Sequence, residues 1–99
     1  MYLSIDQSTS STSLFLFDDE FSLIKKFSKN HKQIYPKAGW IEHDANEIYE
    51  NVLKLAKEIM NFYYMDIKFL SITNQRETFV IFDKYTGLPL HNAIVWQCR

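Results

Sequence analysis

"DANEIYENVLKLAKEIMNFYY", residues 44–64, is the stretch on which the fold turns. Its apolar residues Ile48, Val52, Leu55, Ala56, Ile59 and Tyr63 recur at spacings of 4, 3, 1, 3 and 4, which places them on one helical face. Asp44 before the first turn, with Glu47 three residues on, has the form of a capping box, and both carboxylates suit the positive end of a helix dipole. Glu50 and Lys54 stand four apart on the other side in the favourable order. The pattern predicts one strong amphipathic helix from Asp44 to about Tyr64.

Around that helix the chain reads as strands. Tyr2 to Asp6 and Leu14 to Phe17 ("LFLF") are short apolar runs. A third extended segment runs from Leu23 to about Tyr35, where Pro36 and Gly39 punctuate a loop. These three form an expected antiparallel meander. After the helix come Ile67 to Thr73, then Thr78 to Phe82 ("TFVIF"), then the turn "DKYTGLPL" with Gly87 suited to positive φ, and Ala93 to Trp96. The expected order is β-β-β-α-β-β-β. A helix between strands carries the chain back over the sheet, so the sheet should be mixed. One amphipathic helix covers one sheet face. The other face should be bare, or covered by chain outside this sequence.

Bulk properties limit the function classes. At 99 residues the chain supports one domain, and a composition 46% hydrophobic and 16% aromatic excludes disorder. The net charge of −1, with Lys and Arg scattered, gives no footprint for nucleic acid or for a membrane surface. The single cysteine, Cys98, permits no internal disulfide and reads as inert, which fits a reducing compartment. The opening "MYLSIDQSTS" lacks the basic region and apolar run of a secretory signal, so the expected location is cytoplasmic.

Three groups of residues can carry chemistry. In "DQSTSSTS" (residues 6–13), Asp6 at a strand end can hold a metal ion through water, and the hydroxyls and backbone N–H groups can bind phosphate oxygens. The same residues can equally form a hairpin whose hydroxyls bond their own backbone. In "SITNQRETFVIFD" (residues 71–83), four bulky polar residues, Asn74 to Glu77, stand where a simple turn would favour Gly or Pro. Arg76 offers only donors and ionised Glu77 only acceptors, so the pair can grip a polyol, or form a surface ion pair. Trp96 can lie on a ligand's C–H edge or fill the core. His31, His43 and His91 lack ligand spacing for zinc. "EHD", Glu42 to Asp44, reads as structural, with its aspartate already used as a helix cap.

Taken together and in order, "LSIDQSTSSTSLFLFD", "QIYPKAGWIEHDANEIYENV" and "ITNQRETFVIFDKYTGLPLHNAIVWQCR" resemble the FGGY carbohydrate kinase family, and within it the glycerol-phosphorylating branch. The resemblance covers essentially the whole chain, and its last block is the most specific. It implies the N-terminal part of a ribonuclease H-like, actin-like ATPase domain, so that residues 1–99 would be an incomplete N-terminal domain. It implies that Arg76 and Glu77 hydrogen-bond glycerol hydroxyls and that Trp96 packs on the carbon backbone. It places Asp6 near Mg²⁺, and Thr9, Ser10 and Ser11 against the phosphates of ATP. The implied reaction is in-line transfer of the γ-phosphoryl group to a terminal glycerol hydroxyl.

The family's pattern in the phosphate loop is Asp-Gln-Gly-Thr-Thr-Ser-Ser-Arg. Here Ser8 replaces the glycine and Ser13 the arginine, and elsewhere Ala38 replaces a proline. The family's catalytic aspartate lies beyond Arg99, so no catalytic base is expected in this chain and no turnover by it alone. The alternative expectation is a non-catalytic interaction or polyol-binding module. Its uncovered sheet face would pair with a second copy or with a separately encoded remainder of the kinase.

Overall fold

The computed structural model describes residues 1–63 and 67–97. Two expectations, the helix end at Tyr64 and the inert character of Cys98, lie outside the described residues.

The chain opens with β1 (Tyr2–Gln7), β2 (Ser11–Phe17) and β3 (Leu23–Asn30), paired antiparallel as a meander. The first hairpin is tight. Ser8 donates its backbone N–H to the Ser11 carbonyl at 2.9 Å and its hydroxyl to the same oxygen at 3.0 Å, leaving Thr9 and Ser10 at the tip. After helix α1 (Ala45–Phe62), strand β5 (Phe69–Asn74) runs parallel to β1, with Ile5 opposite Ile72. The four-stranded sheet therefore has the order β3-β2-β1-β5 and is mixed, as a helical crossover requires.

Alternation along the strands builds the core. Leu3 and Ile5 of β1 and Leu14 and Leu16 of β2 meet Leu55 and Ile59 of α1, with Val52, Ala56 and Tyr63 packed around them. Leu14, Leu16 and Ile59 retain no exposed surface, and each such burial is worth about 1.5–3 kcal/mol. Asp44 caps the helix by accepting from the Asn46 N–H at 2.9 Å. The reciprocal half of the expected capping box is absent: Glu47 accepts instead from the Lys32 N–H at 2.6 Å, tying the helix start to the segment after β3. Asn51, buried on the apolar face, donates to the Asn30 carbonyl at 3.2 Å and so satisfies the end of β3.

Three expectations are corrected in detail. The third strand stops at Asn30 and not near Tyr35. His31 turns inward there, its backbone N–H donating to the Ser10 carbonyl at 3.2 Å. A short strand not foreseen, β4 (Glu42–His43), pairs antiparallel with β6 (Ala93–Ile94). Thr78 to Phe82 is not a strand and makes only the isolated bridges Phe79–Ile94 and Phe82–Pro89. A ladder needs a partner of matching length, and β6 offers two residues. The turn that follows is as expected, with Gly87 at φ +76°. Thr86 and then Tyr85 donate their backbone N–H groups to Asp83, which holds its carboxyl below the usual carboxylate range.

The helix leaves much apolar surface open. Every residue of β5 is exposed, Phe69 by 69% and Ile72 by 65%. On the sheet face away from α1, the Tyr2 ring stacks between Phe21 and Phe69, with centroids 4.7 and 5.7 Å away.

Candidate functional site

Because β1 and β5 run parallel and in register, their carboxyl ends, Gln7 and Asn74, lie side by side. Ligands of open α/β sheets bind outside such ends. Here a cleft of about 470 Å³ opens at that place. One wall is Asp6 to Thr9, the second is Asn74 to Glu77, and Trp96 closes the third side.

Asp6 stands opposite Ser13 on β2 and Thr73 on β5, and accepts from the Thr73 hydroxyl at 3.0 Å. Its other carboxylate oxygen has no partner among the described residues. Ser8, at the family's glycine position, has negative φ, so the hairpin adopts its turn without glycine. Ser13, at the family's arginine position, is buried and shares a 3.0 Å hydrogen bond with the Ser28 hydroxyl. Of the three residues expected at phosphate, Thr9 lines the cleft. Ser10 and Ser11 do not: their carbonyls take the His31 and Ser8 N–H groups that close the hairpin.

Arg76 and Glu77 are both exposed, and among the described residues neither enters an ion pair. Both side chains line the cleft. Glu77 has φ +54°, in the left-handed region, a conformation costing about 1–3 kcal/mol for a residue with a Cβ. Trp96 is 53% exposed and does not fill the core. Its indole N–H donates to the Thr9 hydroxyl at 3.2 Å, bringing together residues 87 apart in sequence.

Behind the cleft lies a polar network that sequence reasoning missed. His43 Nε2 is 2.6 Å from Gln33 Oε1, Gln33 Nε2 donates to the Thr9 carbonyl at 3.1 Å, and Gln75 Nε2 is 3.2 Å from His43 Nδ1. His43 has no exposed surface, and the ring of His31 meets it edge-on at 4.5 Å. Burial first, and repulsion from His31 second, lower the His43 pKa to about 4, against a smaller opposing pull from Glu47. The glutamines carry no sequence signal of this role, since amides are common in loops. Glu42, the other buried member of "EHD", accepts from Asn92 Nδ2 at 3.2 Å, with His91 3.8 Å from its second oxygen.

Chemically, the cleft offers a carboxylate and a hydroxyl on one wall, a cation and an anion on the next, and an aromatic face between them. That set suits a small hydroxyl-rich molecule beside a phosphate.

Comparison with known proteins finds relatives that match essentially the whole chain. Glycerol kinase 2 of Thermotoga maritima is 46% identical over 100 residues, and a glycerol kinase of Staphylococcus haemolyticus is 48% identical over the same length. Each match covers 98% of this chain and 20% of the relative, so the chain spans about a fifth of their length. A crystal structure of Plasmodium falciparum glycerol kinase with ADP superposes with a TM-score of 0.95 at 45% identity, covering 99% of this chain and 20% of that one. A xylulose kinase of Rhodospirillum rubrum superposes at 0.90 with 19% identity, over 99% of this chain and 20% of its own, and shares the fold. The model of the N-terminal domain of the FGGY carbohydrate kinases matches residues 1–99, and the chain belongs to that family.

Proposed function

We propose that residues 1–99 form an incomplete N-terminal domain of an ATP-dependent glycerol kinase, supplying the polyol-facing and phosphate-facing walls of its active cleft. The supporting observation is the convergence of Asp6, Thr9, Arg76, Glu77 and Trp96, from three separate segments, on one cleft at the ends of parallel strands. The overall reaction is ATP and glycerol to ADP and sn-glycerol 3-phosphate. Arg76 donates to glycerol hydroxyl oxygens, Glu77 accepts from hydroxyl hydrogens, and the Trp96 face sets the carbon chain between them. Such fixed groups discriminate a triol by leaving a donor or acceptor unpaired when a hydroxyl is missing.

On the other wall, Thr9, with Ser10 and Ser11 behind it, faces the transferred phosphate. Asp6 fits a Mg²⁺ site: it is exposed, at a strand end, with one unpartnered oxygen. Magnesium is commonly held by one or two carboxylates together with substrate phosphates, and the bound ion neutralises phosphate charge. None of the cleft residues is assigned the role of general base in this reading, which expects no turnover by the 99-residue chain alone. The location that fits is the cytoplasm, and no helix among the described residues is long and apolar enough to cross a membrane.

The exposed β5 edge and the Tyr2–Phe21–Phe69 stack support a second role, pairing with a remainder of the kinase or with another copy. It is compatible with the first.

The test is a ¹H–¹⁵N spectrum of the chain recorded with increasing glycerol. The Arg76 amide and Trp96 indole signals shift saturably. Signals that ignore glycerol while the spectrum stays dispersed would overturn the polyol reading.

A further inference from the structure

The cleft's three walls come from segments far apart in sequence, and each is tied to one buried residue, two through its side chain and the third through its strand. His43 reaches Thr9 through Gln33. It reaches the segment of Arg76 and Glu77 through Gln75. Its own strand, β4, pairs with β6, where His43 lies opposite Ala93, three residues before Trp96. We propose that His43 is a positioning residue that locks the phosphate wall to the polyol wall through a hydrogen-bond chain running in one direction, from Gln75 to His43 to Gln33 to Thr9.

The direction follows from donor and acceptor counting. Gln33 spends its amide N–H on the Thr9 carbonyl, so the oxygen it turns to His43 is an acceptor. His43 must therefore carry its hydrogen on Nε2. The neutral ring then has a lone pair at Nδ1, and the only group of Gln75 that can satisfy it is the amide N–H. A buried neutral imidazole is what the surroundings favour, since burial and the adjacent His31 both oppose a charge there. His31 also limits the ring's rotation by its edge contact at 4.5 Å. With each link pointing one way, each wall is held to the ring by its own hydrogen bond, and the polyol hydroxyl is kept at a set distance from the phosphate. This inference rests on the proposed reaction for its ligands, while the wiring stands on geometry alone.

Two variants separate the halves. In His43→Asn an amide oxygen takes the place of Nδ1 and the Nε2 donor is lost. In His43→Gln the terminal amide N–H replaces Nε2 and the Nδ1 acceptor is lost. Without ligand, the asparagine variant shifts the Thr9 amide and Trp96 indole signals, and the glutamine variant shifts those of Gln75 and Arg76. With ligands, the asparagine variant weakens Mg²⁺-ATP and the glutamine variant weakens glycerol. Each loss is about two- to tenfold, the effect of one hydrogen bond. A long-range ¹H–¹⁵N spectrum of the unsubstituted chain shows His43 as the Nε2–H tautomer between pH 6 and 8. The opposite tautomer, or equal perturbation of both walls by both variants, overturns the proposal. Absence of glycerol binding by the unsubstituted chain would overturn the polyol reading of the cleft, and the ligand-free spectra would still decide the wiring. Should both variants unfold, the tautomer decides it.

Discussion

Glu77 is the residue where the local rules are broken most openly. A carboxylate side chain at φ +54° is strained, and nothing among the described residues compensates it with an ion pair or a side-chain hydrogen bond. Strain kept at an exposed position is expected where the conformation aims a side chain into a site. Replacing it tests this. In Glu77→Gly, relief of strain offsets the greater chain entropy of glycine, so stability stays within about 1 kcal/mol of the parent. The saturable glycerol shifts at Arg76 disappear. Loss of stability with unchanged glycerol response would show that the residue serves the turn and not the ligand.

His43 makes a second prediction at this scale. Its pKa is lowered to about 4 in the fold and is near 6.5 in the unfolded chain. The unfolded state therefore binds the extra proton first as pH falls. The stability contributed by the neutral ring is complete above pH 6.5 and is lost progressively as pH falls towards 4. Urea midpoints at pH 7.5 and pH 5 measure it: the parent is less stable at pH 5, and His43→Gln shows a smaller drop. The titratable groups that act on the ring are His31, in edge contact, and Glu47, through its charge, so the double substitution with His31→Gln isolates the coupling between the two rings.

Among the elements, the helix is the one whose identity, start and buried face were all legible in sequence. The 3.6-residue period named Leu55 and Ile59, and both meet β1 and β2. Their removal is costly in a core of six buried side chains: Ile59→Ala should lose about 2–5 kcal/mol, against about 1 kcal/mol for Asp44→Ala at the cap. Denaturant titration of the two variants gives the ratio. A cap effect as large as the core effect would mean that the helix is held by its end and not by its face. Thr78 to Phe82 shows the converse. Its β-branched and aromatic residues have strand propensity, yet it lies outside the sheet with Phe79 and Ile81 exposed. Propensity expresses fit to a pleated surface, and no such surface is beside it. The strand that does form, β4, has only two residues and no periodicity to read.

At the scale of the molecule, the radius of gyration is 15.3 Å, against about 13 Å for a compact domain of this length. The described chain is elongated, 46 × 29 × 19 Å, and leaves open the edge at β5 and the aromatic stack of Tyr2, Phe21 and Phe69, beside which lies a cavity of about 520 Å³. An apolar face of this kind associates. Sedimentation of the chain should show concentration-dependent self-association, and Phe69→Lys should move it towards monomer. A parent that stays monomeric up to about 100 μM, where interfaces of modest affinity are populated, would count against the pairing role.

What sequence alone determined was local: the helix from its period, the meander from alternating apolar runs, the Gly87 turn from its φ requirement, and the family from three motif blocks. These are short-range properties, written in neighbouring side chains. Tertiary structure decided what depends on long-range registry. The parallel pairing of β1 with β5 puts Asp6 beside Thr73, and the β4–β6 pair brings Trp96 to Thr9. The inward turn at His31 lets Gln33 and Gln75 join the buried His43 in one hydrogen-bonded chain. No residue in that chain is unusual by composition. Its roles arise because a buried polar group must find a partner, and the partner available is settled only when distant segments fold against one another.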